Sequence, residues 1–222
     1  MKKFKRQLFA VVVLVAGFAA AIGSYLLFKP DDRGSGGLDV RPVAEAMAVR
    51  DNSHRLTTPK KSELTVVEFL DFECEGCGAF YPVVEKLREE YGDRVTFVAR
   101  YFPMPGHRNG ELAARTAQAA AHQGKFEEMY SKLFTTQKEW GEAQESKQDV
   151  FRDYAKQLGL DMAQFDTALA DPRVAERVRT DQRDGLGLGV QGTPTFFMDG
   201  EMIQTPGSYA AFKNLIDARL AD

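Results

Sequence analysis

The chain has 222 residues, of which 44% are hydrophobic and 27% are charged, an ordinary composition for a globular protein. Its length accommodates one domain with an elaboration or two small domains. A formal charge of −3, with charges of both signs interspersed, argues against a nucleic-acid partner. Two cysteines are too few for a disulfide-rich scaffold, so the core must form by apolar packing.

The first 28 residues predict a membrane segment. The basic stretch MKKFKRQ precedes about 21 uncharged residues, enough for a helix across a bilayer core of about 30 Å. We predict an N-terminal transmembrane helix at residues 1–28, a single-pass anchor that leaves the rest of the chain on the extracytoplasmic side of the cell membrane. The alternative is a signal peptide cleaved near the small residues at 19–21, which releases a secreted or periplasmic protein.

Residues 29–62 predict a linker and an N-terminal extension. The segment KPDDRGSGG is polar and glycine-rich, which is typical of a flexible tether. Residues 49–56 are compatible with a short strand.

Residues 63–106 predict a strand–helix–strand unit. LTVVEFLDF at 64–72 is rich in β-branched and aromatic residues, which indicates a buried strand. Apolar residues recur at helical spacing from Phe80 to Tyr91, and RVTFVARYF at 94–102 predicts a second strand. This order of elements predicts a βαβ unit with parallel pairing.

Residues 107–187 predict an inserted α-helical subdomain, because several apolar stripes at helical spacing recur in a stretch too long for a loop. Its last helix is predicted from Pro172 through Val178, with Asp171 as N-cap. The glycine-rich residues 185–190 are predicted to be a flexible connection.

Residues 188–222 predict the second half of the domain. TPTFFMDGEMI indicates two short strands around a turn at Asp199-Gly200, and Ser208 is predicted to cap a final helix.

Cys74 and Cys77 are the two cysteines, and they lie where the first strand meets the following helix. The N–H groups and dipole at a helix N-terminus stabilise a thiolate, so we expect Cys74 to be the nucleophile and Cys77 the buried resolving thiol. A zinc site normally needs four ligands, whereas the other candidates are three scattered histidines. A static disulfide across so short a loop removes little unfolded-state entropy. A redox-active pair is therefore favoured over a metal or structural site.

The chain resembles the DsbA-type thiol:disulfide oxidoreductases, and particularly their membrane-anchored branch. The resemblance rests on Cys74-x-x-Cys77 at the start of the helix after a central strand, on Thr193-Pro194 in GVQGTPTFF, and on the helical block between βαβ and ββα. It extends over about residues 63–220 and implies an α/β thioredoxin fold with an inserted α-helical subdomain. It also implies a cis bond before Pro194, facing the disulfide.

The resemblance implies further site residues. Glu68 stands where the family has a buried acid beside the inner thiol, and burial would raise its pKa and suit it to exchange protons with Cys77. The alternative is an exposed glutamate on a strand face. The main chain of Thr193 is expected to pair with an extended substrate.

Several residues are candidates for the substrate groove. Phe72, Phe80 and Tyr81 are predicted to form an apolar collar for extended peptides, with core packing as the alternative and as the favoured interpretation of Phe72. His107 belongs to FPMPGH, which either lines the groove or packs the helical subdomain. Packing is the favoured interpretation of that segment and of Trp140.

The dipeptide between the cysteines is Glu75-Gly76, whereas the strongly oxidising archetype has Pro-His. A histidine cation stabilises the thiolate, while Glu75 adds a like charge, which raises the pKa of a neighbouring thiol. The expected redox-tuning effect is a weaker oxidant than the archetype.

These features predict an extracytoplasmic enzyme that exchanges disulfides with secreted or membrane proteins, foremost as a dithiol oxidase. We expect no cofactor beyond the Cys74–Cys77 disulfide, a monomer, cysteine-containing or unfolded secreted proteins as substrates, and a membrane redox partner that recycles the disulfide. The alternatives are a reductase or isomerase, a Cu(I) metallochaperone that uses both thiols and His107, and a catalytically silent peptide-binding module.

Overall fold

The computed structural model describes residues 47–221 of the chain. Its strands are β1 (His54–Arg55), β2 (Leu64–Leu70), β3 (Val95–Tyr101), β4 (Thr195–Met198) and β5 (Glu201–Ile203). Its helices are α1 (Glu75–Tyr91), α2 (Gly110–Ala121), α3 (Phe126–Thr135), α4 (Gln137–Trp140), α5 (Gln148–Gln157), α6 (Met162–Ala170), α7 (Pro172–Gly187) and α8 (Tyr209–Ala221). The predicted anchor at residues 1–28 lies outside the described residues. Within 47–221 no helix combines the length and apolarity needed to cross a membrane.

The strands form one mixed sheet in the order β1–β3–β2–β4–β5. β2 pairs in parallel with β3 and antiparallel with β4, so it is the central strand. Its position explains its nearly continuous burial, because both faces of a central strand are covered. The predicted parallel βαβ unit is confirmed.

The β4–β5 hairpin is also as predicted. Both residues of the connecting turn have positive φ angles, 45° at Asp199 and 86° at Gly200. Such angles favour an Asp-Gly pair and suit the twist of an antiparallel hairpin. The strand expected within residues 49–56 is limited to His54–Arg55, which pairs antiparallel with β3 at the edge of the sheet.

The helices α2–α7 lie between β3 and β4 in the chain, and their side chains share a core with the sheet and α1. The Phe72 ring lies 5.0 Å from that of Phe134 and 5.9 Å from that of Tyr130, measured between centroids. Trp140 is fully buried, and its indole N–H donates to the main-chain oxygen of Leu133. Packing, rather than groove lining, is thus the role of Trp140.

Helix α7 is longer than the sequence indicates, and the predicted end at Val178 is wrong. The expected cap is present, since the Asp171 side chain accepts a hydrogen bond from the N–H of Arg173 at 2.8 Å. The helix continues to Gly187, and the glycine-rich segment begins inside it. At Gly185 the backbone approaches the ring of Phe102 so closely that an added Cβ would lie 2.6 Å from it.

Buried ion pairs explain the extra helical turns. Arg100 on β3 is fully buried, and its guanidinium donates to Asp181 at 2.6 Å and to Asp184 at 2.5 Å. These acids face the sheet from α7, so one side of its polar C-terminal half is fixed to β3. Among the described residues, Arg50 also donates to Asp184, at 2.5 Å.

Candidate active site

The two cysteines lie at the N-terminus of α1, immediately beyond the carboxyl end of β2. Cys74 is the N-cap residue of α1 and is half-buried, whereas Cys77 in the first turn is fully buried. Both are free thiols in this structure. The side chain of Cys74 makes no capping hydrogen bond, which leaves its sulfur available for chemistry.

The surroundings of Cys74 favour its thiolate. A hydrogen bond from the Cys77 thiol contributes most, and together with the Thr193 side chain and the N–H groups of Cys77 and Gly76 it lowers the pKa of Cys74 to about 5, against the opposing effect of burial. Hydrogen bonds to a charged group favour its ionised form. Cys74 is therefore ionised at neutral pH, and a thiolate is the reactive form in disulfide exchange.

The loop before β4 closes over Cys74. The Thr193–Pro194 peptide bond is cis, and the Cys74 thiol donates to the main-chain oxygen of Thr193 at 3.2 Å. The Thr193 hydroxyl is buried and has no hydrogen-bond partner among the described residues, so its O–H can turn to the sulfur once the thiol ionises. A Cβ at Gly76 would lie 3.3 Å from Pro194 Cδ, so glycine at this position permits the close approach of the loop.

Cys77 is held in its protonated form. Burial raises the pKa of Cys77 well above that of an ordinary thiol, and its hydrogen bond to Cys74 and the negative charges of Glu68 and Cys74 act in the same direction. The N–H of Asp71 donates to its sulfur at 3.4 Å and opposes this effect. Cys77 thus needs a proton donor and acceptor when its bond to Cys74 forms or breaks.

Glu68 is buried on β2, so it is not the exposed glutamate of the alternative interpretation. Burial, followed by the negative charges of Glu85 and Cys74, raises the pKa of Glu68 to about 8. Glu68 lines a cavity of about 10 Å³, whose other lining residues are apolar. That volume is close to what one water molecule requires.

Glu75 is exposed in the first turn of α1. A solvent-exposed charge is screened by water and salt, so the effect of Glu75 on the pKa values of the two thiols is reduced. The hydrogen bonds to Cys74 outweigh any such effect, because the pKa of Cys74 is lowered. The influence of Glu75-Gly76 on the reduction potential stays a prediction.

The groove candidates lie in two different settings. The Phe80 ring packs 5.5 Å from that of Phe196 on β4. Tyr81 packs against α3, and its hydroxyl donates to Ser131 at 2.9 Å. His107 follows β3, and its Nδ1 donates to Asp71 Oδ2 at 2.5 Å, which connects it to the segment before Cys74. A role of these residues in substrate binding stays a prediction.

Three further residues that shape this site were not predicted from the sequence. Asp71 and Glu73 are both 1% exposed, although each is an acid just before Cys74. The amide nitrogen of Gln137 donates to the main-chain oxygens of Phe72 at 2.7 Å and Cys74 at 2.8 Å. The sequence does show an acid on each side of Phe72. Acidic residues at the end of a strand normally face solvent, so their burial could not be inferred.

Metal ligands are not gathered at this site or elsewhere in residues 47–221, where no three His, Cys, Asp or Glu side chains are placed to share an ion.

The cysteine pair and the cis-proline loop occur together in one arrangement. A central strand leads to a Cys-x-x-Cys helix N-terminus with one ionised and one protonated thiol, and a cis-proline loop lies against the ionised sulfur. This is a thiol:disulfide oxidoreductase with a DsbA-like thioredoxin fold.

Comparisons with known proteins agree. A family model described as "Thioredoxin" matches residues 56–218, and the chain belongs to this family. A thioredoxin-like oxidoreductase from Silicibacter pomeroyi DSS-3 is 25% identical, with a TM-score of 0.67 over 80% of this chain and 97% of that one. A periplasmic thioredoxin-like protein from Salmonella enterica serovar Typhimurium is also 25% identical, with a TM-score of 0.64 over 81% of this chain and 97% of that one. Wolbachia pipientis α-DsbA1 shares the fold, with a TM-score of 0.69 at 22% identity over 81% of this chain and 96% of that one.

The curated relatives are longer proteins. The chain is 35% identical over 203 residues to a Na(+)/H(+) antiporter NhaA of Herminiimonas arsenicoxydans, a match that covers 90% of this chain and 31% of the antiporter. It is 33% identical over 220 residues to Na(+)/H(+) antiporter NhaA 3 of Salinispora tropica, covering 95% of this chain and 33% of that protein. The chain therefore spans about a third of the length of these relatives.

Proposed function

We propose that this protein oxidises pairs of cysteines in extracytoplasmic proteins through its Cys74–Cys77 disulfide. The observation that carries the proposal is the contrast between the two thiols, with Cys74 at a pKa of about 5 and Cys77 well above the ordinary value. A stabilised thiolate favours the reduced form of the pair, and this makes the disulfide a better oxidant.

The reaction begins on the oxidised enzyme. A substrate thiolate attacks Cys74 Sγ, the Cys74–Cys77 bond breaks, and Cys77 leaves with the electron pair. Glu68 is protonated at neutral pH because its pKa is about 8, so it supplies the proton that the buried Cys77 thiolate requires. The product is a mixed disulfide between Cys74 and the substrate.

A second substrate thiolate completes the exchange. It attacks the substrate sulfur of the mixed disulfide, and Cys74 leaves as a stabilised thiolate. The substrate has lost two electrons and gained a disulfide, while the enzyme holds a Cys74 thiolate and a Cys77 thiol. Another turnover requires an oxidant that removes these two electrons, and we propose a membrane redox partner for this step.

The extracytoplasmic location and the membrane anchor are part of the proposal. They are supported by the basic segment followed by an uncharged apolar stretch at the N-terminus. The likeness to a periplasmic thioredoxin-like protein supports the same compartment. The similarity to part of proteins named as antiporters is compatible with work beside a membrane.

A single-turnover reaction tests this function. The oxidised full chain in mild detergent is mixed with a reduced peptide that contains two cysteines, and both redox states are followed by thiol labelling. We expect one peptide disulfide to form for each Cys74–Cys77 disulfide lost, and Cys74→Ser to abolish the transfer. A Cu(I) titration of the reduced protein serves as the counter-test, because tight binding of one ion without disulfide transfer would favour a metallochaperone.

A further inference from the structure

Two buried carboxylates lie immediately before the nucleophilic cysteine. Asp71 accepts hydrogen bonds from the N–H of Glu73 at 2.9 Å and of Met104 at 2.7 Å. Glu73 accepts hydrogen bonds from the N–H of Asn109 at 2.5 Å and of Glu142 at 3.0 Å. These main-chain donors satisfy the oxygens but carry no formal charge. Negative charge at this place opposes formation of a thiolate at Cys74.

His107 brings a cationic group to these acids. Its Nδ1 donates to Asp71 Oδ2 at 2.5 Å, and its side chain is 31% exposed. Burial disfavours the imidazolium, but the hydrogen bond to Asp71 and the charges of Asp71, Cys74 and Glu73 outweigh it and raise the pKa of His107. The charge of Cys74 follows the contributions of Asp71 and acts in the same direction, raising the pKa of His107.

Asp71 links His107 to both cysteines through hydrogen bonds. Its main-chain oxygen accepts a hydrogen bond from the N–H of Cys74 at 3.1 Å. Its own N–H donates to Cys77 Sγ at 3.4 Å. The residue that holds the imidazole therefore also holds the cysteine segment through main-chain hydrogen bonds.

We propose that His107, held by Asp71, is a positioning residue that supplies the positive charge absent from the Glu75-Gly76 dipeptide and thereby stabilises the Cys74 thiolate of the reduced enzyme. This inference rests on the proposed function and adds a residue that determines how strong an oxidant the disulfide is. A cation beside the thiolate favours the reduced pair, so it makes the disulfide more oxidising.

The pH dependence has a definite sign. Below its raised pKa, His107 is charged and supports the thiolate against Asp71 and Glu73. As the pH rises through that pKa, the cation is lost, the two carboxylates remain, and the disulfide becomes a weaker oxidant. The charged groups that face His107 are Asp71 and Glu73 from the β2–α1 connection and Cys74 from the start of α1.

Three variants of the full chain test the proposal. His107→Gln keeps an N–H donor for Asp71 but removes the charge, and His107→Lys returns a cation. His122→Gln is the matched control, since His122 is exposed at the end of α2. For each we measure the pKa of Cys74 from the ultraviolet absorbance of the thiolate and the equilibrium constant with glutathione.

We expect His107→Gln to raise the pKa of Cys74 by about one unit, which is a tenfold decrease in the acid dissociation constant of the thiol. The glutathione equilibrium should shift about tenfold toward the disulfide, equivalent to about 30 mV. His107→Lys should return both values toward wild type, and His122→Gln should leave them unchanged. If Gln and Lys at position 107 behave alike, whether both normal or both impaired, the charge is not the determinant and the proposal is overturned.

A second measurement needs no variant. By reciprocity, a thiolate that is stabilised by His107 must also stabilise the imidazolium. The pKa of His107, followed by NMR, should therefore be higher in the reduced protein than in the oxidised protein, and equal values would overturn the proposal. If wild type shows no reversible disulfide at all, the proposed function fails before His107 is in question.

Discussion

The sulfur of Cys74 lies 3.2 Å from the main-chain oxygen of Thr193, although 119 residues separate the two in the chain. This contact brings the loop before β4 onto the nucleophile, which lies just beyond the carboxyl end of β2. The β2–β4 pairing makes it possible, because Phe69 near the end of β2 is opposite Thr195, directly after the loop. The site therefore depends on the whole sheet and not on the Cys-x-x-Cys segment alone.

Thr193→Val should raise the pKa of Cys74. The substitution removes a hydroxyl that favours the thiolate and keeps the main-chain contact and the side-chain shape. We expect an increase of a few tenths of a unit, since one hydrogen bond among several is lost. Absorbance titration of the thiolate measures it. Thr167→Val, on an exposed face of α6, is the control. An unchanged pKa of Cys74 in Thr193→Val would show that the hydroxyl does not stabilise the thiolate.

Glu68 should make stability depend on pH. Its pKa is raised from 4.5 to about 8 in the folded protein, so the folded state binds more protons than the unfolded state between these values. The free energy of unfolding should then fall as the pH rises through this window, by at most about 1.4 kcal/mol per pH unit. Urea unfolding of wild type and Glu68→Gln at several pH values tests this.

The test compares how the free energy of unfolding depends on pH in wild type and in Glu68→Gln. Relative to wild type, Glu68→Gln should gain stability progressively between about pH 5 and 8, since a neutral amide has no charge to bury. Parallel pH profiles for the two proteins would contradict the raised pKa.

Gln137→Met should loosen the start of α1. The amide of Gln137 donates to two main-chain oxygens, of Phe72 and Cys74, and methionine of similar length cannot replace these bonds. We expect the free energy of unfolding to fall by about 1–3 kcal/mol, because partly buried oxygens lose their partner. Slower disulfide transfer should accompany the loss. Gln144→Met, at an exposed position, is the control, and an equal effect there would show that the Gln137 bonds are unimportant.

Gly185→Ala should destabilise the fold without changing the redox chemistry. An added Cβ would lie 2.6 Å from the buried Phe102 ring and 3.1 Å from Phe69, so side chains between α7 and the sheet must shift. We expect a loss of about 1–3 kcal/mol in the free energy of unfolding. Gly207→Ala is the control, because no atom lies within 4 Å of its added Cβ. A changed reduction potential in Gly185→Ala would show that the packing of α7 against Phe102 affects the cysteine pair.

Local patterns in the sequence predict most elements of this fold. β2 and β3 are dense apolar runs, α1 has regular helical spacing, and Asp199-Gly200 marks the hairpin. Each of these signals is contained within a few residues, so it needs no knowledge of the tertiary structure. The Cys-x-x-Cys helix start was likewise visible, whereas Thr193-Pro194 was identified through the resemblance to the DsbA-type family.

The features that sequence reasoning missed depend on long-range partners. The C-terminal half of α7 is polar in sequence, but its Asp181 and Asp184 form buried ion pairs with Arg100, about 80 residues earlier in the chain. Glu73 is buried because its oxygens accept N–H groups from Asn109 and Glu142 in distant loops. No local pattern reports such partners, since they become neighbours only after the chain has folded.

The reduction potential of Cys74–Cys77 distinguishes a disulfide donor from a reductase. The full chain in mild detergent is equilibrated with glutathione buffers, and the fraction of disulfide is read after acid quenching and thiol labelling. We predict a reversible two-electron couple at about −120 to −200 mV, the range of proteins that donate disulfides. A value near about −270 mV would instead indicate a reductase, and the absence of a reversible couple would contradict disulfide exchange altogether.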